Sequence, residues 1–423
     1  MFTRKPALQG ADRLSLLYRI SQTFNSTLEL DQVLNLVMDE IIQATQAERG
    51  FLMLANSSGE LKFQAARGLD QHDIHAPELQ ISHGLVERVF REGQPLVTSN
   101  AQDDDWLSER RSVMVLGLRS VLCVPLKHRD AVLGVVYVDN RIQAGIFTPD
   151  DLDLLTALAA NAAAAIENAR LYQVAIEKGR MERELQIARQ VQINLLPHSL
   201  PESAGWDFGA HWQPAREVAG DFYDFNWHAD GSLSLVIADV TDKGMPAALY
   251  MALSRSIVRA SLAQTGDLAE GINQVNRLIC VDNSYGMFVT LFYARLNPRT
   301  GELRYVNAGH NPPLLLHAST GQLERLTRTG IALGVDDSRT YREQSVQMLP
   351  GDLILLYTDG LTEAPDPDGH EFGEDRLQAA LLESAALPAT QLGERLEQIV
   401  EAHLNGGAPQ DDLTLVIVRR LQG

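Results

Sequence analysis

Apolar positions recur along this chain with two different periods, and the places where the period changes mark its divisions. Residues 11–24 read as a short amphipathic helix, and Leu30, Val33, Leu34, Val37 and Ile41 form one stripe at helical spacing. Apolar runs follow at residues 50–54, 61–64, 120–126 and 132–138, and these read as strands. Thr148-Pro149-Asp150-Asp151 then opens a helix: threonine can cap it, proline suits the first turn, and the aspartates complement the dipole. That helix continues beyond Ala157. Within it Leu171, Val174, Lys178, Met181, Leu185, Ala188, Gln192 and Leu195 alternate in steps of three and four, the heptad seam of a two-stranded coiled coil with two polar interruptions. Lys178 and Gln192 either set its register or are only tolerated. The competing reading is a helix packed along one face against its own domain. Leu196-Pro197 closes the helix, because the residue before proline is disfavoured in helical geometry. After Pro201 strand runs return at residues 233–238, 289–295, 303–307, 353–357 and 413–418, with helices at 247–262 and 268–278. Mostly antiparallel strands with helical cover predict two stacked sheets with helices outside.

The expected organisation is an α+β multidomain chain: an N-terminal helical arm at 1–25, an α/β domain at 26–170, a coiled-coil linker at 171–198 and a sandwich at 199–423. The linker reads as a stiff rod and the axis of a homodimer. With 423 residues, 45% of them hydrophobic, the chain has enough apolar material for two or three cores. Its 55 acidic and 36 basic residues give a net charge of -19, which opposes binding to nucleic acid or anionic lipid. The same excess suits a protein partner with a basic surface, or plain solubility. Cys123 and Cys280 are the only cysteines, far apart in sequence, as expected for a reducing compartment. The basic start Met1-Phe2-Thr3-Arg4-Lys5 is followed by no apolar run, so no signal peptide is expected. The alanine-rich stretch 154–166 is shorter than the about 20 apolar residues a membrane span needs. A cytoplasmic protein without membrane insertion is the expectation.

Four aspartates carry the candidate chemistry: Asp221, Asp239, Asp359 and Asp411, each at the end of an expected strand. Any one alone reads as a turn residue. As a set they read differently, because small or polar neighbours allow tight loops to meet at one sheet edge, and converging carboxylates call for a hard divalent cation. Further loops of the active-site type lie between them at 307–313 and 330–334. His310 in the first has two readings, a general acid or, favoured, a loop-shaping hydrogen-bonder. Arg216 is either a bidentate donor to a substrate phosphate or a solvated surface residue. Cys123 and Arg129 have the spacing of a cysteine-dependent phosphatase loop, but the interval is Val-Pro-Leu-Lys-His in a strand and turn, so a buried core cysteine is expected.

Two resemblances follow from these residues. Glu48-Arg49-Gly50-Phe51-Leu52-Met53-Leu54, residues 120–126, Gly134-Val135-Val136-Tyr137-Val138-Asp139 and residues 147–155 together resemble a GAF domain. That implies a sensor with a pocket for a small-molecule or protein signal, with no signature for a cyclic nucleotide, bilin or haem. From Glu182 onward, Glu182-Arg183-Glu184-Leu185, Gly220-Asp221-Phe222-Tyr223-Asp224, Asp239-Val240, Lys243-Gly244, Pro246-Ala247-Ala248, residues 307–313, residues 356–364, Phe372-Gly373 and Asp411-Asp412-Leu413-Thr414 resemble the PPM class of metal-dependent serine/threonine phosphatases, in the SpoIIE/RsbU branch. The resemblance implies an α-β-β-α sandwich in which Asp221 bridges two Mn²⁺ or Mg²⁺ ions. Asp239 and the Val240 carbonyl would hold one ion, and Asp359 and Asp411 the other; a third ion is left open. It implies hydrolysis of phosphoserine or phosphothreonine by a metal-bridging hydroxide, on a small regulatory protein of the STAS anti-sigma-factor-antagonist type. Ala219 and Asp242 stand where glycine is common in that family. The rival expectation is a ligand-binding GAF dimer acting as a scaffold with little turnover, and a metal nuclease is disfavoured by the acidity.

Overall fold

Alternating strand faces and helical stripes build two bodies, Met1–Arg180 and Met181–Gly423, in a computed structural model that describes residues 10–68, 74, 81–98, 118–142, 144, 146–263, 265–281 and 286–422. The first nine residues of the expected arm lie outside the described residues.

The first body begins with α1 (Gly10–Phe24) and α2 (Leu30–Thr45), then β1 (Arg49–Ala55), β2 (Leu61–Gly68), α3 (His83–Glu92), β3 (Leu96–Thr98), β4 (Ser120–His128) and β5 (Ala131–Asn140). Its antiparallel sheet has the order β2-β1-β5-β4-β3. Because successive strand side chains point to opposite faces, Leu52, Leu122, Val124, Val136 and Val138 meet the α2 stripe Val33, Val37 and Ile41. Phe51, Met53, Val121, Cys123 and Tyr137 instead face Leu85, Val86 and Val89 of α3, a helix that the sequence pattern did not reveal. The long helix α4 (Pro149–Leu195) closes the first face with Leu154, Leu155, Leu158 and Ile166. Its start is a reciprocal cap: the Thr148 amide donates to Asp151 Oδ2 at 2.8 Å, and the Asp151 amide to Thr148 Oγ1 at 3.3 Å.

Exposure varies along the expected heptad seam of α4. Leu171, Val174 and Met181 are exposed, whereas Leu185 and Ala188 are half-buried and Gln192 is buried. Gln192 is not a register-setting position between two helices, because its amide is spent on its own chain.

In the second body, β6 (Trp206–Gln213), β7 (Phe222–Trp227), β8 (Leu233–Val240), α5 (Met245–Leu262), α6 (Leu268–Val281), β9 (Val289–Leu296) and β10 (Glu302–Ala308) come first. There follow β11 (Leu314–His317), β12 (Gln322–Arg325), β13 (Gln344–Gln347), β14 (Leu353–Tyr357), α7 (Asp359–Thr362), α8 (Gly373–Ser384), α9 (Ala389–Leu404) and β15 (Leu413–Arg420). They form two antiparallel sheets, β13-β10-β9-β8-β7 and β12-β11-β14-β15-β6. Leu235, Ile237 and Phe292 of one sheet pack on Ile354, Leu356, Val416 and Val418 of the other. The outer face of the first sheet is covered by α5 and α6 through Met251, Val258, Ile272 and Val275. That of the second is covered by α8 and α9 through Leu377, Leu381, Leu392 and Leu396. The result is the expected α-β-β-α sandwich.

Candidate metal centre

Antiparallel pairing decides where the aspartates go. Asp221 directly precedes β7 and Asp239 lies at the end of β8, its antiparallel neighbour, so both fall at one edge. Asp359 follows β14 and Asp411 precedes β15, again antiparallel neighbours, with Tyr357 opposite Leu415. Each pair shares an edge, and electrostatic contact joins the pairs: the Asp359 carboxylate acts on Asp239, and Asp412 on Asp221. The Val240 carbonyl belongs to the same corner. A side chain at Gly220 would come within 2.9 Å of that oxygen, so the Asp221 turn approaches it only because residue 220 is glycine.

Asp221 is the most enclosed member, 1% exposed. Its Oδ2 accepts hydrogen bonds from the Thr358 and Thr414 hydroxyls, each at 2.7 Å. Burial, then the charges of Asp239 and Asp412, push its carboxyl well above the usual range, and the two hydroxyls pull the other way. Asp239 is raised to about 7, by burial first and then by Asp359. Asp359 is raised by burial and by Asp411. Among the described residues Asp411 alone of the four has a cation at ion-pair distance, Lys243, whose Nζ lies 2.9 Å from Oδ2 and donates to the Gln410 carbonyl at 2.6 Å.

Two residues that matter here carried no role at this site from sequence. Asp412 is a staple: its oxygens accept the Ala215 and Gly220 amides, both at 2.8 Å, and so fold the loop before Asp221 against the turn before β15. The doubled Asp411-Asp412 was its only signal. Gln192 binds both polar groups of Ala219, accepting its amide at 3.1 Å and donating to its carbonyl at 2.8 Å, and reaches the Ala248 carbonyl of α5 at 3.4 Å. A polar residue inside an apolar seam was the available clue.

The other candidates separate. His310 is fully enclosed; its amide donates to Asn307 Oδ1 at 2.9 Å, and its Nδ1 lies 2.8 Å from the hydroxyl of Thr290, the cross-strand partner of Asp239. Burial lowers its pKa to about 3, so it is uncharged near neutral pH and serves the loop rather than supplying a proton as imidazolium. Arg216 is exposed on the loop that Asp412 ties down. Asp242 takes a φ of 77°, the left-handed region that favours glycine, and its Oδ1 accepts the Lys243 amide at 2.8 Å. Cys123 is buried in β4 opposite Tyr137, with its thiol pushed up by burial, and lies in the other body. A cysteine-nucleophile reading has no support in that placement.

Among the described residues, the ligating side chains whose donor atoms all lie within 4.8 Å of one another are Asp366, Asp368 and His370, on an exposed turn already closed by the Asp366 carboxylate. The four aspartates do not form a group that tight among the described residues.

Comparison with known proteins agrees with this division. The SpoIIE family (Stage II sporulation protein E) matches residues 229–421, and the GAF domain family matches residues 29–166. The chain is 34% identical over 272 residues to protein IcfG of Synechocystis sp., covering 58% of this chain and 43% of that protein. It is 30% identical over 241 residues to the phosphoserine phosphatase RsbU of Bacillus subtilis, covering 57% of this chain and 71% of RsbU. Against the phosphoserine phosphatase RsbP of the same organism the identity is 24%, and the chain spans 46% of it. The chain thus spans less than half of two of these three relatives. Among solved structures, the SiaA-PP2C domain of Pseudomonas aeruginosa superposes with a TM-score of 0.52 at 23% identity, over 58% of this chain and 99% of that domain, a likeness of fold.

Proposed function

The chain belongs to the RsbU-type family of SpoIIE-domain phosphatases, here with a GAF domain ahead of the catalytic fold, and we propose that it is a divalent-metal-dependent protein serine/threonine phosphatase under sensor control. The observation that carries this reading is the enclosed Asp221 carboxylate, set against Asp239 and Asp412 with hydroxyl partners but no cation. Four carboxylates and a carbonyl form an all-oxygen donor set, and among the described residues Asp221, Asp239 and Asp359 lack an ion-pair partner. Such a set fits Mn²⁺ or Mg²⁺. Asp221 would be shared, with Asp239 and the Val240 carbonyl on one side and Asp359 and Asp411 on the other. Two bound ions supply a water ionised near neutral pH and positive charge against the phosphoryl oxygens.

The remaining steps belong to the protein. Thr358 and Thr414 fix one oxygen of Asp221 and so aim the other. Asp412 holds the Asp221 loop against the Asp411 turn, and Lys243 also holds that turn, through Asp411 and the Gln410 carbonyl. Enclosed and neutral, His310 supports Thr290 beside Asp239, which keeps the β8 end in place. The substrate we propose is a phosphoserine or phosphothreonine on a small regulatory protein, of the STAS anti-sigma-antagonist type. RsbU, named a phosphoserine phosphatase, supports the first part at 30% identity. Control would pass from a GAF-bound signal along α4, in a homodimer joined through its exposed Leu171–Met181 side chains, to Gln192 and its contacts at Ala219 and Ala248. The two free cysteines suit a cytoplasmic setting, and no helix among the described residues is long and apolar enough to cross a membrane.

The test is Mn²⁺-dependent hydrolysis of a phosphoserine peptide by the full chain. Asp239→Asn and Asp359→Asn proteins with unchanged circular dichroism should lose about a hundredfold or more in rate, the loss of several kcal/mol of charge stabilisation. Unchanged turnover in both would sink the reading.

A further inference from the structure

We propose that Asp224 and Arg255 are positioning residues for the metal centre: a buried ion pair that holds α5 in register with the strand starting at Asp221. The proposal rests on the ion-binding reading of the four aspartates.

The geometry is specific. Asp224 Oδ2 lies 3.0 Å from Arg255 Nη2, with side chains 7% and 8% exposed, and 3.6 Å from Arg259 Nη1, whose side chain is 49% exposed. The other Asp224 oxygen accepts the Phe225 amide at 2.9 Å, so the carboxylate is held at both ends. β7 is the edge strand of its sheet and has a ladder partner, β8, on one side only. Its other ties must therefore come from what packs on it. α5 starts shortly after Val240, across residues 241–244, so any slide of α5 pulls on the loop behind Asp239 and Val240.

A buried ion pair adds little net stability, because desolvation offsets the attraction, but breaking it leaves an unpaired buried charge. It therefore punishes displacement far more than it rewards folding, the property wanted of a positioning contact. Asp221 is flanked by two ties to α5: Gln192 joins Ala219 to Ala248 on one side, and Asp224 grips Arg255 on the other. Two ties fix both the height and the rotation of α5 against the strand, which one tie cannot.

The experiment uses the full chain. Mn²⁺ affinity is read by titration calorimetry, and KM and kcat are read separately with a phosphoserine peptide. Asp224→Asn and Arg255→Met should each weaken Mn²⁺ binding about tenfold, the usual effect of disturbing residues that support metal ligands. KM for the peptide should stay within about twofold once Mn²⁺ saturates. Arg255→Lys should recover part of the affinity, and Arg259→Gln should keep it. Because a single variant can fail by unfolding, the deciding protein is Asp224→Leu/Arg255→Met, whose apolar pair keeps the fold. It should melt like the wild type yet bind Mn²⁺ as weakly as the single variants. Wild-type affinity in that double variant would overturn the proposal while leaving the metal centre intact. A wild-type chain that binds no Mn²⁺ would remove the metal reading, and this proposal with it.

Discussion

At the scale of single residues, His310 has the clearest measurable signature. Its imidazole is neutral in the fold, with a pKa lowered from 6.5 to about 3 by burial. The unfolded chain therefore takes up a proton below about pH 6.5 that the fold refuses, so this residue's share of stability is present above that pH and lost as pH falls toward the folded value. Each unit in that window removes about 1.4 kcal/mol, so comparing pH 7.5 with pH 5.0 leaves about 2 kcal/mol for His310. Raised carboxyls such as Asp221 change stability in the opposite direction, but they are common to both proteins when His310→Gln is compared with wild type. Denaturant unfolding in EDTA at the two pH values should show the wild type losing about 2 kcal/mol more than the variant; equal losses would mean that the imidazole titrates normally. The four aspartates were legible because each ends a strand inside an ordered motif. Thr358, Thr414 and Asp412 were not, because a hydroxyl or carboxylate one to three residues from such an aspartate looks the same in sequence whether it supports that aspartate or faces water. Their roles come from which loop lies opposite, and pairing across about two hundred residues is a tertiary fact.

At the scale of elements, burial pattern decided what could be seen in advance. β14 and β15 read as strands because both faces are covered, which makes them continuous apolar runs. β6 escaped notice because it is Trp-Asp-Phe-Gly-Ala-His-Trp-Gln, an edge strand with polar residues and a glycine inside it. That glycine has a structural reason. A side chain at Gly209 would lie 2.6 Å from the Ala389 carbonyl carbon, so the first turn of α9 rests directly on the backbone of β6. Gly209→Ala should push the helix off the sheet and cost about 1–3 kcal/mol, the usual penalty for overpacking. Thermal unfolding checks this, and a variant as stable as wild type would show that α9 can move without cost. The α4 seam was ambiguous for a related reason: heptad spacing describes any helix with one apolar stripe, and at Gln192 the seam position is used within the same chain.

At the scale of the whole molecule, the division into two bodies makes a thermodynamic prediction that neither residues nor elements make alone. The second body carries the enclosed carboxylates that repel one another, so without a cation its folded state is strained by charge. In the first body the corresponding buried carboxylate, Asp139, is already paired: Arg49 Nη2 lies 2.6 Å from Oδ2 and Nε lies 2.9 Å from Oδ1. A divalent ion should therefore stabilise one body and pass over the other. Binding to the folded state alone adds about 2.7 kcal/mol at a free concentration one hundred times the dissociation constant. For a body of this size that corresponds to a rise of about 5–10 °C in its melting temperature. Calorimetry of the full chain should show two transitions, with Mn²⁺ raising one and EDTA restoring it, and the Asp239→Asn protein should show no shift. Removal of residues 1–170 should leave the responsive transition and delete the silent one. If Mn²⁺ moved both transitions together in the intact chain, the bodies would be unfolding as one cooperative unit, and a signal at the GAF domain would then reach the metal centre through shared stability rather than through the contacts of Gln192.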